Sequence, residues 1–199
     1  MRDTPTERRL RLLTRATVVA LAIACAFAER PLAAQSPARA ANGPKELKTQ
    51  YLADLDHAHT KFLALANAFP AGKYSWTPQS GVRSVGAVFL HVASEYYLYA
   101  PMAYGAKPSS VVANTDDALT KFEANPTKEA VIKHLNDSYA YAKATLAPVD
   151  PAAVGSVDWF GQQATITQTT IGMTDDLHEH LGQLIAYARM NGITPPWSK

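Results

Sequence analysis

The chain has 199 residues, 47% of them hydrophobic and 18% charged, which suits one globular domain with an extension. Its formal charge is +2, but residues 1–34 hold six of the 19 Lys and Arg and three of the 17 Asp and Glu, which leaves 13 against 14, a net of −1. A near-neutral remainder without a Lys/Arg cluster excludes an electrostatic footprint for nucleic acid, and a single cysteine, Cys25, excludes an intramolecular disulfide.

Residues 1–15 carry five arginines, and a 13-residue apolar run follows over 16–28. That run is well short of the ~20 residues that span a bilayer. Small residues suited to a cleavage site stand at Ala26-Phe27-Ala28 and Leu32-Ala33-Ala34. The layout predicts a secretory signal peptide over residues 1–34, export to the periplasm or the medium, and no stable membrane span in the mature form. Ala22-Ile23-Ala24 ahead of Cys25 is a poor lipobox, so lipidation is not expected.

Residues 35–45, small, polar and proline-bearing, are expected to form a flexible lead-in to a domain over residues 46–196. From Glu46 to Phe69 the apolar positions Leu47, Tyr51, Leu55, Phe62, Leu65, Ala66 and Phe69 recur at helical intervals, and Pro70 and Gly72 stop the pattern. A turn-rich connection leads to Ser84, a plausible N-cap for a second helix reaching about Tyr104. Thr115-Asp116-Asp117 caps a third helical region, which Pro126-Thr127 interrupts before a longer run over 128–146. Residues 154–161 read as a loop or short extended piece that lays aromatics over one end of the domain. The last helix opens at Thr165 with the spacing of a capping box and ends at Asn191-Gly192. No alternation is long enough for a sheet, and no internal repeat occurs. The pattern predicts an all-α fold, a four-helix bundle.

On the last helix Asp176 and His180 stand four residues apart and share a face with Met173, Leu177, Leu184 and Tyr187, so a carboxylate and an imidazole can converge on one ion. His178 falls almost opposite and is expected at the rim. A second helix must supply the third ligand, and His91 is the leading candidate. Glu95, one turn further along, is a ligand or an acceptor that orients an imidazole. On the first helix His59 lies on the apolar stripe as a reserve ligand, whereas His57 and His134 are read as surface residues. Two core histidines satisfied by Tyr187, Asp176 or a water would leave the same pattern.

Trp76-x-Pro78, Ser84-Val85-Gly86 with His91, Trp159-Phe160-Gly161, and His180-Leu181-Gly182-Gln183-Leu184 with Tyr187, Arg189, Asn191 and Gly192 resemble the DinB/YfiT-like family of metal-binding four-helix bundles. The resemblance covers about residues 46–196. It implies a divalent metal held by a histidine of the second helix and two residues four apart on the last, usually both histidines. Carried over, these fall on His91, Asp176 and His180, and Asp176 is the departure from the usual pattern. Members with assigned activity are thiol-dependent transferases or isomerases, others are described as hydrolases, and the family name implies no DNA contact.

Two functions compete at this point. One is a divalent-metal-dependent enzyme, using Zn, Ni, Fe or Mn, that acts on a small molecule as a hydrolase or thiol transferase, with Glu95, His59 or Tyr187 as candidate catalytic groups. The other is a non-catalytic bundle that binds a ligand or partner and keeps a degenerate metal site. A small-molecule substrate is the expected partner, and a homodimer is compatible with the pattern.

Overall fold

The computed structural model describes residues 37–198. The signal peptide expected over residues 1–34, including Cys25, lies outside the described residues. Helix α1 runs from Pro37 to Ala68, so part of the segment read as a flexible lead-in is helical backbone. Ala38, Ala40 and Ala41 are strong helix formers. Pro44 sits inside the helix at the cost of one backbone hydrogen bond.

Helix α2 spans Val85–Tyr97 and opens on Ser84, whose hydroxyl accepts from the Ala87 amide as an N-cap. The expected continuation to Tyr104 is broken at Leu98, and a four-residue helix α3, Tyr99–Met102, resumes beyond it. Pro101 explains the break: it has no N–H, and its ring would meet the carbonyl of Tyr97 one turn back. Helix α4 (Asp116–Glu123) is capped by Thr115, and α5 (Lys128–Leu146) by Thr127. Asn125, with φ 49°, turns the chain between them.

Two strands that the pattern did not predict follow. β1 (Ser156–Trp159) pairs antiparallel with β2 (Gln162–Thr165), Trp159 standing opposite Gln162. The two-residue turn is Phe160-Gly161, both with positive φ, 53° and 80°. That is the backbone of a type I′ hairpin turn, normally built from Asn and Gly. Phenylalanine in the first position hides the signal, and the Asp158 carboxylate accepting from the Gly161 amide at 2.8 Å holds the turn. Helix α6 (Ile166–Met190) then opens on the complete Thr165/Gln168 capping box and ends at Asn191.

Four long helices form a bundle in which α1 and α2 each pack against both α5 and α6. Helices α1 and α2, consecutive among the long helices, therefore occupy opposite corners. The apolar stripe of α1 (Leu55, Phe62, Leu65, Ala66) and that of α5 (Val131, Leu135, Ala142, Leu146) are buried as their spacing predicts. Each fully buried Phe or Leu side chain contributes about 1.5–3 kcal/mol of transfer free energy. Twelve of the 13 residues of α2 are buried, so any polar group on this helix must find a partner inside the protein. The exception is His91.

Gly86 fixes where α2 begins. A Cβ there would lie 2.4 Å from Pro126 Cβ and 3.1 Å from the Tyr74 ring, so only glycine lets the segment before α5 close over the start of α2. Among the described residues no helix is long and apolar enough to cross a membrane.

Candidate metal centre

Glu95 is the best-buried charged group among the described residues, 1% exposed, and lies one turn beyond His91 on α2. Its Oε1 is 3.1 Å from His91 Nε2 and 3.5 Å from Nε2 of His180, which comes across from α6. The two imidazole rings stand 4.8 Å apart and nearly perpendicular. One ligand atom from each of His91, Glu95 and His180 lies within 4.8 Å of the other two, so this group could hold a metal ion. The second carboxylate oxygen, Glu95 Oε2, is buried with no hydrogen-bond partner. Such an orphan is costly in a purely structural carboxylate and ordinary in one that coordinates a cation. Two imidazoles and one carboxylate are a donor set suited to Zn, Fe or Ni with positions left open. The residues present therefore fit the ion.

Each histidine is oriented from behind. His91 Nδ1 donates to Glu123 Oε1 at 2.7 Å, and the other oxygen of Glu123 accepts from Arg83 Nε at 2.7 Å. His180 Nδ1 donates to Gln183 Oε1 at 3.3 Å; the Gln183 amide donates to the Tyr187 hydroxyl at 3.0 Å, and that hydroxyl donates to the Arg83 carbonyl at 3.3 Å. Trp76 packs edge-on against Tyr187. With both Nδ1 atoms committed outward, both Nε2 atoms face Glu95. Fixing the tautomer of a ligating imidazole in this way is the usual role of such partners. Gln183, Tyr187 and Trp76, three of the motif residues, thus act on the centre through His180.

The electrostatics favour a cation. Burial works against the His91 imidazolium, yet the Glu123 and Glu95 carboxylates outweigh it and raise its pKa to about 9. Burial likewise opposes the Glu95 carboxylate, but contacts with His180 and His91 hold it well below the usual carboxylate range. His180 is raised against the effect of burial, mainly by Glu95. The field that retains a proton on each imidazole would equally stabilise a divalent ion in its place.

Asp176 lies beside this group. Its carboxylate is 3.6 Å from His180 Nε2 and its side chain is 41% exposed. Burial, and after it the neighbouring Glu95 carboxylate, raise it to about 7. With His91, Glu95, Tyr99, Trp159 and Phe160 it lines a cleft of about 290 Å³. The carboxylate inside the cluster is thus Glu95, and Asp176 stands on the wall of the opening.

The other histidines lie elsewhere. His59 is buried, stacked on Tyr139 at 3.8 Å with the rings 2° from parallel, and its Nδ1 has no partner. Burial lowers its pKa to about 4. It does not join the cluster. His178 reaches Asp54 at 2.9 Å on the rim. His134, read as a surface residue, instead sits edge-on to Phe122 at 4.8 Å with a buried, unpartnered Nδ1. The aromatic side chain of α4 covers it, a contact no helical period on α5 can reveal. Glu123 was missed for a similar reason: it lies 32 residues from the histidine it orients and reaches it only through packing of α4 on α2. Its place near the end of a short acidic helix carries no local signal.

A helical bundle with two imidazoles and a carboxylate facing one another across two helices defines a class of proteins that can bind metal between helices. The chain belongs to the DinB superfamily, whose family model matches residues 54–184. That stretch contains His91, Glu95, Glu123, Asp176 and His180. No curated protein matches the chain.

Proposed function

We propose that this DinB-superfamily protein is a divalent-metal-dependent enzyme that acts on a small molecule in the cleft beside His91, Glu95 and His180. The observation that carries the reading is the convergence of these three side chains around a buried carboxylate with one oxygen unpartnered. When bound, a divalent ion supplies Lewis acidity that favours loss of a proton from a water or a thiol beside it. The protein's own groups do the rest. Glu123 and Gln183 hold the imidazoles with Nε2 turned inward. Asp176, at the opening and close to neutrality in its titration, is positioned to accept that proton and pass it on. Glu95 faces the two imidazoles inside the cluster, Tyr187 is committed to Gln183 and Arg83, and His59 is walled off by Tyr139, so none of these is assigned the proton transfer. Hydrolysis and thiol transfer both begin with such a deprotonation.

The arginine-rich start and short apolar run of residues 1–34 support export, and with it a reaction in the periplasm or the medium. Common low-molecular-weight thiols are cytosolic, so this location favours hydrolysis over thiol transfer. The test is turnover. Protein loaded with Zn, Ni, Fe or Mn is assayed against a panel of esters and amides, and against an electrophile with added thiol. Activity that a chelator abolishes, that metal restores and that His180→Ala lacks is expected; turnover indifferent to both chelator and mutation would refute the reading.

A further inference from the structure

The open side of the cleft is built in a way that bundle packing does not require. Tyr99, Trp159 and Phe160 line it, with ring centroids 5.0–6.2 Å apart and every pair of rings inclined by 63–73°. Three rings at such angles form the walls of a corner. Phe160 is 60% exposed, so its ring gains little from burial, and it occupies a left-handed conformation, φ 53°, that a bulky side chain rarely adopts. Glycine or asparagine would make the same turn with less strain. Folding stability therefore does not account for a phenylalanine at this point, and strained residues of this kind cluster at binding sites.

Asp176 lines the same cleft. Its side chain is 41% exposed, so a ligand seated in the cleft can reach the carboxylate. The cleft thus presents a reachable carboxylate beside three aromatic rings. Against this wall a neutral apolar group would cover the carboxylate without pairing it, which is costly, and an anionic group would be repelled both by it and by the electron-rich ring faces. A cation satisfies both.

We infer that the cleft selects a small molecule bearing an alkylammonium group, seated against Tyr99, Trp159 and Phe160 with Asp176 as its counter-charge, so that the remainder of the molecule points toward His91, Glu95 and His180. This rests on reading the same cleft as the site of small-molecule chemistry and names the class of ligand it takes.

The test uses choline and its uncharged carbon analogue, 3,3-dimethylbutan-1-ol, titrated into the metal-loaded and the metal-stripped protein. Binding is followed by calorimetry and by tryptophan fluorescence. Choline is expected to bind at least about tenfold more tightly than the analogue, as the interaction of a cation with desolvated aromatic faces implies. Asp176→Asn and Phe160→Gly should each weaken choline about tenfold with metal stoichiometry unchanged. Phe160→Gly also relieves the turn, so it should fold at least as well as the parent, and a loss of binding there cannot be a loss of fold. Equal binding of the two probes, or no choline binding to protein that holds one metal per chain, overturns the inference and leaves the metal reading standing. Choline binding that is selective in protein unable to hold metal supports the inference and defeats the metal reading.

Discussion

Glu123→Gln is the substitution that most sharply separates an oriented metal centre from a set of core histidines. The change keeps the side chain's size and removes its charge. The 2.7 Å contact to His91 Nδ1 is charge-assisted, and bonds of that kind contribute about 1.5–3 kcal/mol. The contact to Arg83 adds little, about 1 kcal/mol at most, because the Arg83 side chain is 45% exposed and screened by water. In the variant the neutral amide oxygen can still accept from His91, but it no longer raises the basicity of the ring or fixes its tautomer as firmly. Loss of such an outer partner lowers metal affinity about 10- to 100-fold. The assay is competition for Zn against a chelating dye, with the His91 ring titrated by NMR in the metal-free protein. Affinity should fall by at least about tenfold, and the His91 pKa should drop from its value of about 9. If affinity stays within about threefold while the variant remains folded, Glu123 does not orient a metal ligand.

Three further outcomes are expected. Metal affinity should rise with pH between about 6 and 8, by roughly one to two orders of magnitude per pH unit, because the ion must displace protons from His91 and His180, both raised above the ordinary histidine value; a flat profile in the same titration series would contradict this. Gly86→Ala should destabilise the fold by about 1–3 kcal/mol in urea denaturation, since the new methyl meets Pro126 Cβ at 2.4 Å and neither backbone can yield easily; an unchanged midpoint would show that the segment before α5 is not fixed there. His59 makes stability sensitive to acid: its folded pKa of about 4 lies below the ordinary 6.5, so between those values the unfolded chain binds more protons. Its contribution is complete above pH 6.5 and is lost as the pH falls toward 4, on the order of 3 kcal/mol in all. His59→Phe, which keeps the stack on Tyr139 and removes the titration, should flatten the acid limb of the stability curve, and an unaltered limb would exclude His59 as its cause.

The helices and most of their caps could be read in the sequence because they depend on local chemistry: Ser84, Thr115, Thr127 and the Thr165/Gln168 box each cap their own helix. The break at Leu98 was also present as a signal, in Pro101, but continuous apolarity over α2 masked it. The hairpin was hidden because Phe160 stands where Asn or Gly is usual. At the site, helical period alone sufficed to turn His91, Glu95, Asp176 and His180 toward one region and His178 away from it. It could not decide which of the two carboxylates lies between the imidazoles. That depends on depth: Glu95 comes from a helix buried on all sides, whereas Asp176 lies on a helix with one face open to solvent. Glu123 and the covering of His134 by Phe122 arise from the docking of α4, which no periodicity within a single helix encodes.

Whether His91, Glu95 and His180 bind one divalent ion is decided by metal content. Protein equilibrated in turn with Zn, Ni, Fe and Mn, then desalted, is measured by elemental analysis beside Glu95→Gln and His180→Ala. One equivalent per chain of at least one of these metals is expected in the parent, and less than a tenth of that in both variants. No stoichiometric metal in the parent, or full stoichiometry in a folded Glu95→Gln protein, would contradict this.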